Sequence, residues 1–195
     1  AKKIIIGYDH HFGRNRSANI DDLKVFGEQY DFDVEEISAQ DINEVSVSST
    51  KIRTALANGN LQTANNYLGY PFMLSGTVVN GKQLGGKIGY PTANINIKET
   101  YKLIPKTGVY IVLSKIQGAN VYGMMNIGNR PTIGGDYQTI EVHFFDFNAD
   151  LYHQQLTINL LYFLRDVKKF DSIEDLMLQL KKDEQTARNF IEKNL

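Results

Sequence analysis

The 195-residue sequence contains no cysteine and no tryptophan. Without cysteine there is no disulfide framework, no thiolate nucleophile and no cysteine-based zinc site. A cysteine-free chain is compatible with a reducing compartment without proving one. An excess of charge is also missing. Lys and Arg number 21 against 22 Asp and Glu, a formal net charge of −1. That removes the bulk electrostatic case for binding nucleic acid or an anionic membrane and leaves only local patches. Long apolar runs are absent too. Asn159-Leu160-Leu161-Tyr162-Phe163-Leu164 is strand-length, far short of the roughly 18 residues of a membrane span. The opening Ala1-Lys2-Lys3-Ile4-Ile5-Ile6-Gly7 has too short an apolar run for a secretory signal. It lacks an initiating Met and starts almost inside a strand, which sets the expectation of a chain that begins mid-domain. There is no internal repeat and no low-complexity tract.

What is present is an ordinary globular balance, 42% hydrophobic and 22% charged, enough for one domain or two small ones. Residues 1–69 alternate strand and helix. Ile4-Ile5-Ile6 and Phe32–Ile37 read as strands, and Ile20, Leu23 and Phe26 fall at helical spacing behind an N-cap at Asn19. Short helices are predicted at Lys51–Ala57 and Leu61–Leu68, closed by Gly59 and Gly69. Such alternation predicts a parallel α/β layer. Residues 70–195 change texture. Strands are predicted at Met73–Val79, Gly108–Lys115, Val121–Asn126, Thr139–Phe147 and Gln155–Leu164, as in a sandwich or barrel. A C-terminal helix follows Ser172, with the apolar stripe Ile173, Leu176, Leu180, Ala187 and Ile191. The boundary is placed near Gly69-Tyr70-Pro71.

Three segments carry chemistry. The first runs from Gly81 to Asn94. Gly81, four residues, then Gly86-Lys87 nearly makes a phosphate loop. It fails because Ile88 stands where a hydroxyl should meet magnesium, and because Gly89 and Pro91 oppose the helix that should follow. The chemistry outlasts the motif. Gly81, Gly85 and their neighbours allow close approach of backbone N–H groups to an anion, with Lys82 and Lys87 adding charge. Thr92 and Asn94 offer hard oxygens suited to Mg²⁺. A purely structural glycine-rich hairpin loop is the competing reading. The second segment, Asn126–Gly135, reads as a loop whose Arg130 can grip phosphate or can be a solvated surface arginine. In the third, Thr139–Phe147, Glu141 and His143 share one strand face. Glu141 suits a general base, or a salt bridge to a neighbouring strand.

Taken in order, Gly-Lys-Gln-Leu-Gly, Gly-Tyr-Pro-Thr-Ala-Asn, Thr-Gly-Val-Tyr, Asn-Ile-Gly-Asn-Arg-Pro-Thr, Glu-Val-His-Phe-Phe-Asp-Phe and Phe-Leu-Arg-Asp-Val-Lys-Lys-Phe resemble the kinase module of the bacterial bifunctional riboflavin kinase/FAD synthetase (FMN adenylyltransferase) family. The resemblance covers Tyr70 to the end of the chain. It implies an α+β protein. A six-stranded antiparallel, Greek-key-like β-barrel with a C-terminal helix over residues 70–195 follows part of a Rossmann-like α/β nucleotidyltransferase domain over residues 1–69. It implies a cytoplasmic kinase that transfers the γ-phosphoryl group of ATP to the 5′-hydroxyl of riboflavin, with FMN and ADP as products. Mg²⁺ is the implied cofactor and ATP the co-substrate. No nucleic-acid or membrane partner is implied. By position Thr92 and Asn94 fall in the Mg-nucleotide site, Glu141 is the base, Arg130 lies on a loop near the phosphates and Arg165 in the flavin-side loop. Gly86 stands where the family usually has arginine, which predicts weaker nucleotide contact with Lys87 as a partial substitute. Ile133 replaces a phenylalanine, and Asp166-Val167 replaces a Pro-Glu pair.

The first part resembles the same family. Gly7-Tyr8-Asp9 matches its flavin-side segment, with His10 in place of phenylalanine. Val47-Ser48-Ser49-Thr50-Lys51-Ile52-Arg53 matches a nucleotidyltransferase segment in which Ser48, Ser49, Thr50 and Arg53 belong to a phosphate-facing helix start. An ordinary helix cap is the plainer reading. The family's His-x-Gly-His motif has no counterpart among His10, His11, His143 and His153, so this chain is not expected to make FAD. The alternative to a kinase is a degenerate flavin- or nucleotide-binding module without turnover.

Overall fold

A computed structural model describes residues 1–7, 10–38, 41–42, 45–81, 84–132 and 135–194. Side chains at 41, 42, 45, 84 and 130–137 are outside that description. Asp9, Lys82 and Ile133, named above, therefore lie outside the described residues, as does the side chain of Arg130. The chain divides into two compact units, Ala1–Ser48 and Ser49–Leu195.

In the first unit, strand β1 (Lys3–Gly7), helix α1 (Ile20–Tyr30) and strand β2 (Asp33–Ile37) form the expected unit, with β1 and β2 parallel. Asn19 caps α1. Its Oδ1 accepts from the N–H groups of Asp21 and Asp22, and the Asp22 carboxylate accepts from Asn19 N–H in return. Leu23 is buried, but Phe26 of the expected stripe is exposed. A two-residue pair, β3 (Asp41–Ile42) and β4 (Val45–Ser46), is too short to be read from sequence.

The second unit runs through helices α2 (Ser49–Ala57) and α3 (Leu61–Leu68), then β5 (Met73–Val79), α4 (Leu84–Lys87), β6 (Ala93–Asn96), β7 (Gly108–Ile116), β8 (Ala119–Thr132), β9 (Gly135–Phe144), β10 (Gln155–Arg165) and α5 (Ile173–Asn194). Six described strands close an antiparallel barrel in the order β10-β5-β6-β9-β8-β7. The stretch β10-β7-β8-β9 is a Greek key, since three hairpin-linked strands are followed by one that returns beside the first. Gln117 and Gly118, both at positive φ, make the two-residue turn from β7 to β8. That turn chemistry fixes the pairing register. Leu74, Val112, Ile127, Val142 and Ile158 fill the barrel.

Two differences from the sequence reading have clear causes. The segment around Asn126–Thr132, read as a loop, is the end of β8 and pairs with β9 through Thr132↔Gly135. Pairing of β8 with β7 stops at Ile127. Beyond it no other described strand pairs with β8 on that side, and Pro is tolerated at such an edge position. The second difference is the division point. The sequence places α2 and α3 before the boundary near Gly69, whereas they pack within the second unit. Ala55, Leu56, Leu61 and Ala64 join the barrel's apolar cluster. The Leu160 and Leu161 carbonyls, beside a register shift in β10, accept from Asn65 Nδ2 (2.9 Å) and Gln62 Nε2 (3.1 Å) of α3. Lys106 N–H donates to the Leu56 carbonyl (3.0 Å). Leu56→Ala is therefore expected to destabilise the barrel by about 2–5 kcal/mol. Urea unfolding of the full chain, followed by hydrogen exchange of β10 amides, measures it, and a loss far below that range would make α2 a mere appendage.

Candidate active site

The alternation along β9 divides its side chains between two layers. Ile140, Val142 and Phe144 point into the barrel, while Phe145 joins Val109, Ile111, Met124 and Ala187 in a second apolar layer under α5. Glu141 and His143 lie on this outer face, as their spacing predicts. Glu141 pairs in register with Asn94 on β6 and Asn126 on β8. Cross-strand partners share a face, so the carboxylate stands between two carboxamide positions. Thr92, just before β6, donates from Oγ1 to Glu141 Oε2 at 3.4 Å. A bond that long is weak, and Thr92 can turn toward a ligand at small cost. The structure thus brings Thr92, Asn94 and Glu141 together, three residues that are 49 positions apart at the widest.

The glycine segment is a single helical turn. Tyr90 N–H donates to the Gly85 carbonyl (2.8 Å) and Gly89 N–H to that of Gly86 (3.4 Å), with Gly89 at φ 83°. This is a Schellman closure, and it ends α4 where the sequence argued that no helix could continue. Ile88 N–H also donates to Gly85. The N–H groups of Ile88, Gly89 and Tyr90 are therefore spent within the turn, which narrows the expected anion cradle to the residues before them. A Cβ on Gly85 would lie 2.1 Å from the Tyr90 carbonyl oxygen, and one on Gly81 2.1 Å from the Asn94 carboxamide. Gly85 is required by this close approach of backbone, whereas at Gly81 the Asn94 side chain would have to move. Among the described residues nothing lies within 4 Å of a Cβ built on Gly86, and Lys87 is exposed.

Two cavities meet here. One, of about 330 Å³, has walls that include Val109, Met124, Leu176 and Leu180, with Thr92, Asn126, Glu141, His143 and Arg165 supplying polar groups. The other, of about 320 Å³, is lined by Val78, Phe144 and the 147–152 segment, and again by Thr92. Both volumes suit small ligands, and an apolar pocket with a few convergent polar groups is the usual form of such a site. Thr92 is the wall they share.

Arg165, expected in a loop, is the last residue of β10. Its guanidinium is engaged by Asp183 of α5, with Nε at 3.0 and 2.9 Å from the two carboxylate oxygens and Nη2 at 2.6 Å. Asp183 is only 3% exposed. The sequence reading missed it, although a carboxylate between Leu180 and Ala187 on the apolar stripe was the available signal. Tyr90 and Asn126, also in the first cavity, carried no signal beyond their motifs. At the start of α2, Arg53 Nη2 donates to Ser49 Oγ (3.3 Å) and Thr50 Oγ1 (3.5 Å), a local arrangement within one helical turn. Among the described residues no helix is long and apolar enough to cross a membrane, which leaves β-barrel spans untouched.

A family model described as riboflavin kinase matches residues 68–191, and one described as FAD synthetase matches residues 1–51. A bifunctional riboflavin kinase/FMN adenylyltransferase of Haemophilus influenzae is 39% identical over 97% of this chain and 61% of its own length. Its namesake in Listeria monocytogenes is 38% identical over 97% of this chain and 60% of its own length. The chain thus spans about 60% of the relatives it matches. A crystal structure from Streptococcus pneumoniae, named a macrolide-efflux protein, superposes with a TM-score of 0.85 at 37% identity, over 96% of this chain and 60% of that one.

Proposed function

The chain belongs to the riboflavin kinase family, and on that footing we propose that it transfers the γ-phosphoryl group of ATP to the 5′-hydroxyl of riboflavin, giving FMN and ADP. The observation that carries this reading is Thr92, the wall shared by two cavities, in contact with Glu141, whose cross-strand neighbour is Asn94. The apolar-walled cavity under α5 takes the flavin, and the cavity beside residues 147–152 takes the nucleotide. The acceptor hydroxyl then reaches Glu141 while the γ-phosphate lies at Thr92. Glu141 accepts the hydroxyl proton as the ribityl oxygen bonds to the γ-phosphorus and the bond to the β–γ bridging oxygen of ATP breaks. Phosphoryl transfer asks a protein mainly for positioning and charge stabilisation, and this site supplies both.

Thr92 Oγ1 and the Asn94 carboxamide are the hard oxygens that Mg²⁺ prefers, and few protein ligands suffice when phosphates complete the shell. Bound there, the ion would neutralise charge on the phosphates. Arg130, Lys82 and Lys87 are the candidate further cations, and Gly81 and Gly85 shape the approach to Asn94 and Tyr90. Residues 1–69 are read as part of an adenylyltransferase-like domain that includes Asp9, Ser48, Ser49, Thr50 and Arg53 and whose last two helices pack on the barrel, and residues 70–195 as the kinase domain. A cytoplasmic setting fits these substrates. Incubation with riboflavin and Mg-ATP, with flavins resolved by chromatography, is expected to yield FMN. Flavin binding without FMN would favour the non-catalytic alternative that Gly86 suggests.

A further inference from the structure

Adjacent acidic residues of α5 grip the two sides of the flavin-side cavity. Asp183 holds Arg165 and also accepts from Gln179 Nε2 at 2.7 Å. The third arm of Arg165, Nη1, donates to the Asp166 carbonyl (3.0 Å). It thereby fixes the exit of β10, where Val167, Lys168 and Phe170 continue the cavity wall. Glu184 reaches the other wall. Its Oε2 accepts from the Tyr90 hydroxyl at 3.2 Å, while its Oε1 accepts from Arg188 Nε at 2.9 Å. Arg188 in turn binds Asp146 through both Nη atoms, at 2.7 and 2.9 Å, and lies 4.7 Å from the centre of the Phe145 ring.

Tyr90 stands two residues before Thr92. The same short stretch is held by His143, whose Nδ1–H donates to the Pro91 carbonyl (2.8 Å) and whose ring meets the Tyr90 ring edge-on at 5.1 Å. Burial first, and then Glu184, raise the Tyr90 phenol above its ordinary pKa. Stability alone does not account for the Arg165–Asp183 pair, because apolar residues often replace a buried ion pair at no cost.

We propose that Asp183 and Glu184 are positioning residues of the transfer reaction, Asp183 acting through Arg165 on the flavin and Glu184 acting through Tyr90 on the placement of Thr92. This rests on the proposed function and adds two roles to it.

The test separates the two arms. For the Glu184 arm, Tyr90→Phe and Glu184→Ala are each expected to lower kcat about 10-fold, within the range a small misplacement produces. Riboflavin affinity, read by quenching of flavin fluorescence without ATP, should fall by much less than kcat, because both variants keep an aromatic ring at position 90 in the cavity wall. The double variant should be no worse than either single one, and Glu184→Gln, which keeps an acceptor oxygen, should restore most of the rate. For the Asp183 arm, Asp183→Asn is expected to weaken riboflavin binding about 10-fold, the order lost when a cavity wall shifts. Additive losses in the first set, or wild-type constants accompanied only by lower thermal stability, would overturn the positioning roles. Should the wild-type protein bind riboflavin without forming FMN, the proposed reaction falls, and the binding arm still decides about Asp183.

Discussion

Glu141→Gln is expected to lower the rate of FMN formation by about 10²–10⁴-fold, the usual loss when a positioned base is removed. The substitution is close to isosteric. Glutamine keeps an oxygen that can accept from Thr92 Oγ1, so the contact seen at 3.4 Å can persist. The backbone on either side is anchored by Ile140 and Val142 in the barrel core. Register with Asn94 and Asn126 is set by the strands, not by the carboxylate. What is lost is the ability to take a proton. Riboflavin binding should therefore survive while single-turnover phosphoryl transfer collapses. Turnover equal to that of the wild type would remove Glu141 from the role of base.

Thr92→Val is expected to weaken use of Mg-ATP by about 10–100-fold, the loss typical when a group that orients a metal site is removed. Valine repeats the branched shape of threonine and deletes only the hydroxyl, and Thr92 borders both cavities. The defect should be largest at low magnesium and shrink as magnesium rises, since phosphates and water supply the remaining ligands. Riboflavin affinity measured without nucleotide should fall far less, since valine keeps the shape of that wall. Full activity at low magnesium would exclude Thr92 from the ion's surroundings.

These two variants rest on different kinds of knowledge. That Glu141 lies on the face opposite Val142 was legible from the period of two in residues 141–147. That it stands beside Thr92 was not, because 49 positions separate them and only the closure of the barrel brings β6 against β9. Local chemistry announced itself in other places. Asn19, Gly69 and Ser172 were readable as helix ends because caps are short-range hydrogen bonds. The four-residue strand β6 was not read, since Ala93–Asn96 is too short to show a period. Asn126–Thr132 looked like a loop by composition, and became strand by pairing with β9, at a sheet position that tolerates Pro131.

The sequence alone determined the local elements, the loop glycines and the residue types suited to phosphoryl transfer, because spacing and backbone preference act over a few residues. Tertiary structure decided the rest. It placed α2 and α3 with the barrel, since their apolar faces are buried there. It fixed Arg165 on Asp183, since a buried carboxylate needs a cationic partner. And it set Thr92 at the wall between two cavities, a position that exists only once six strands have closed.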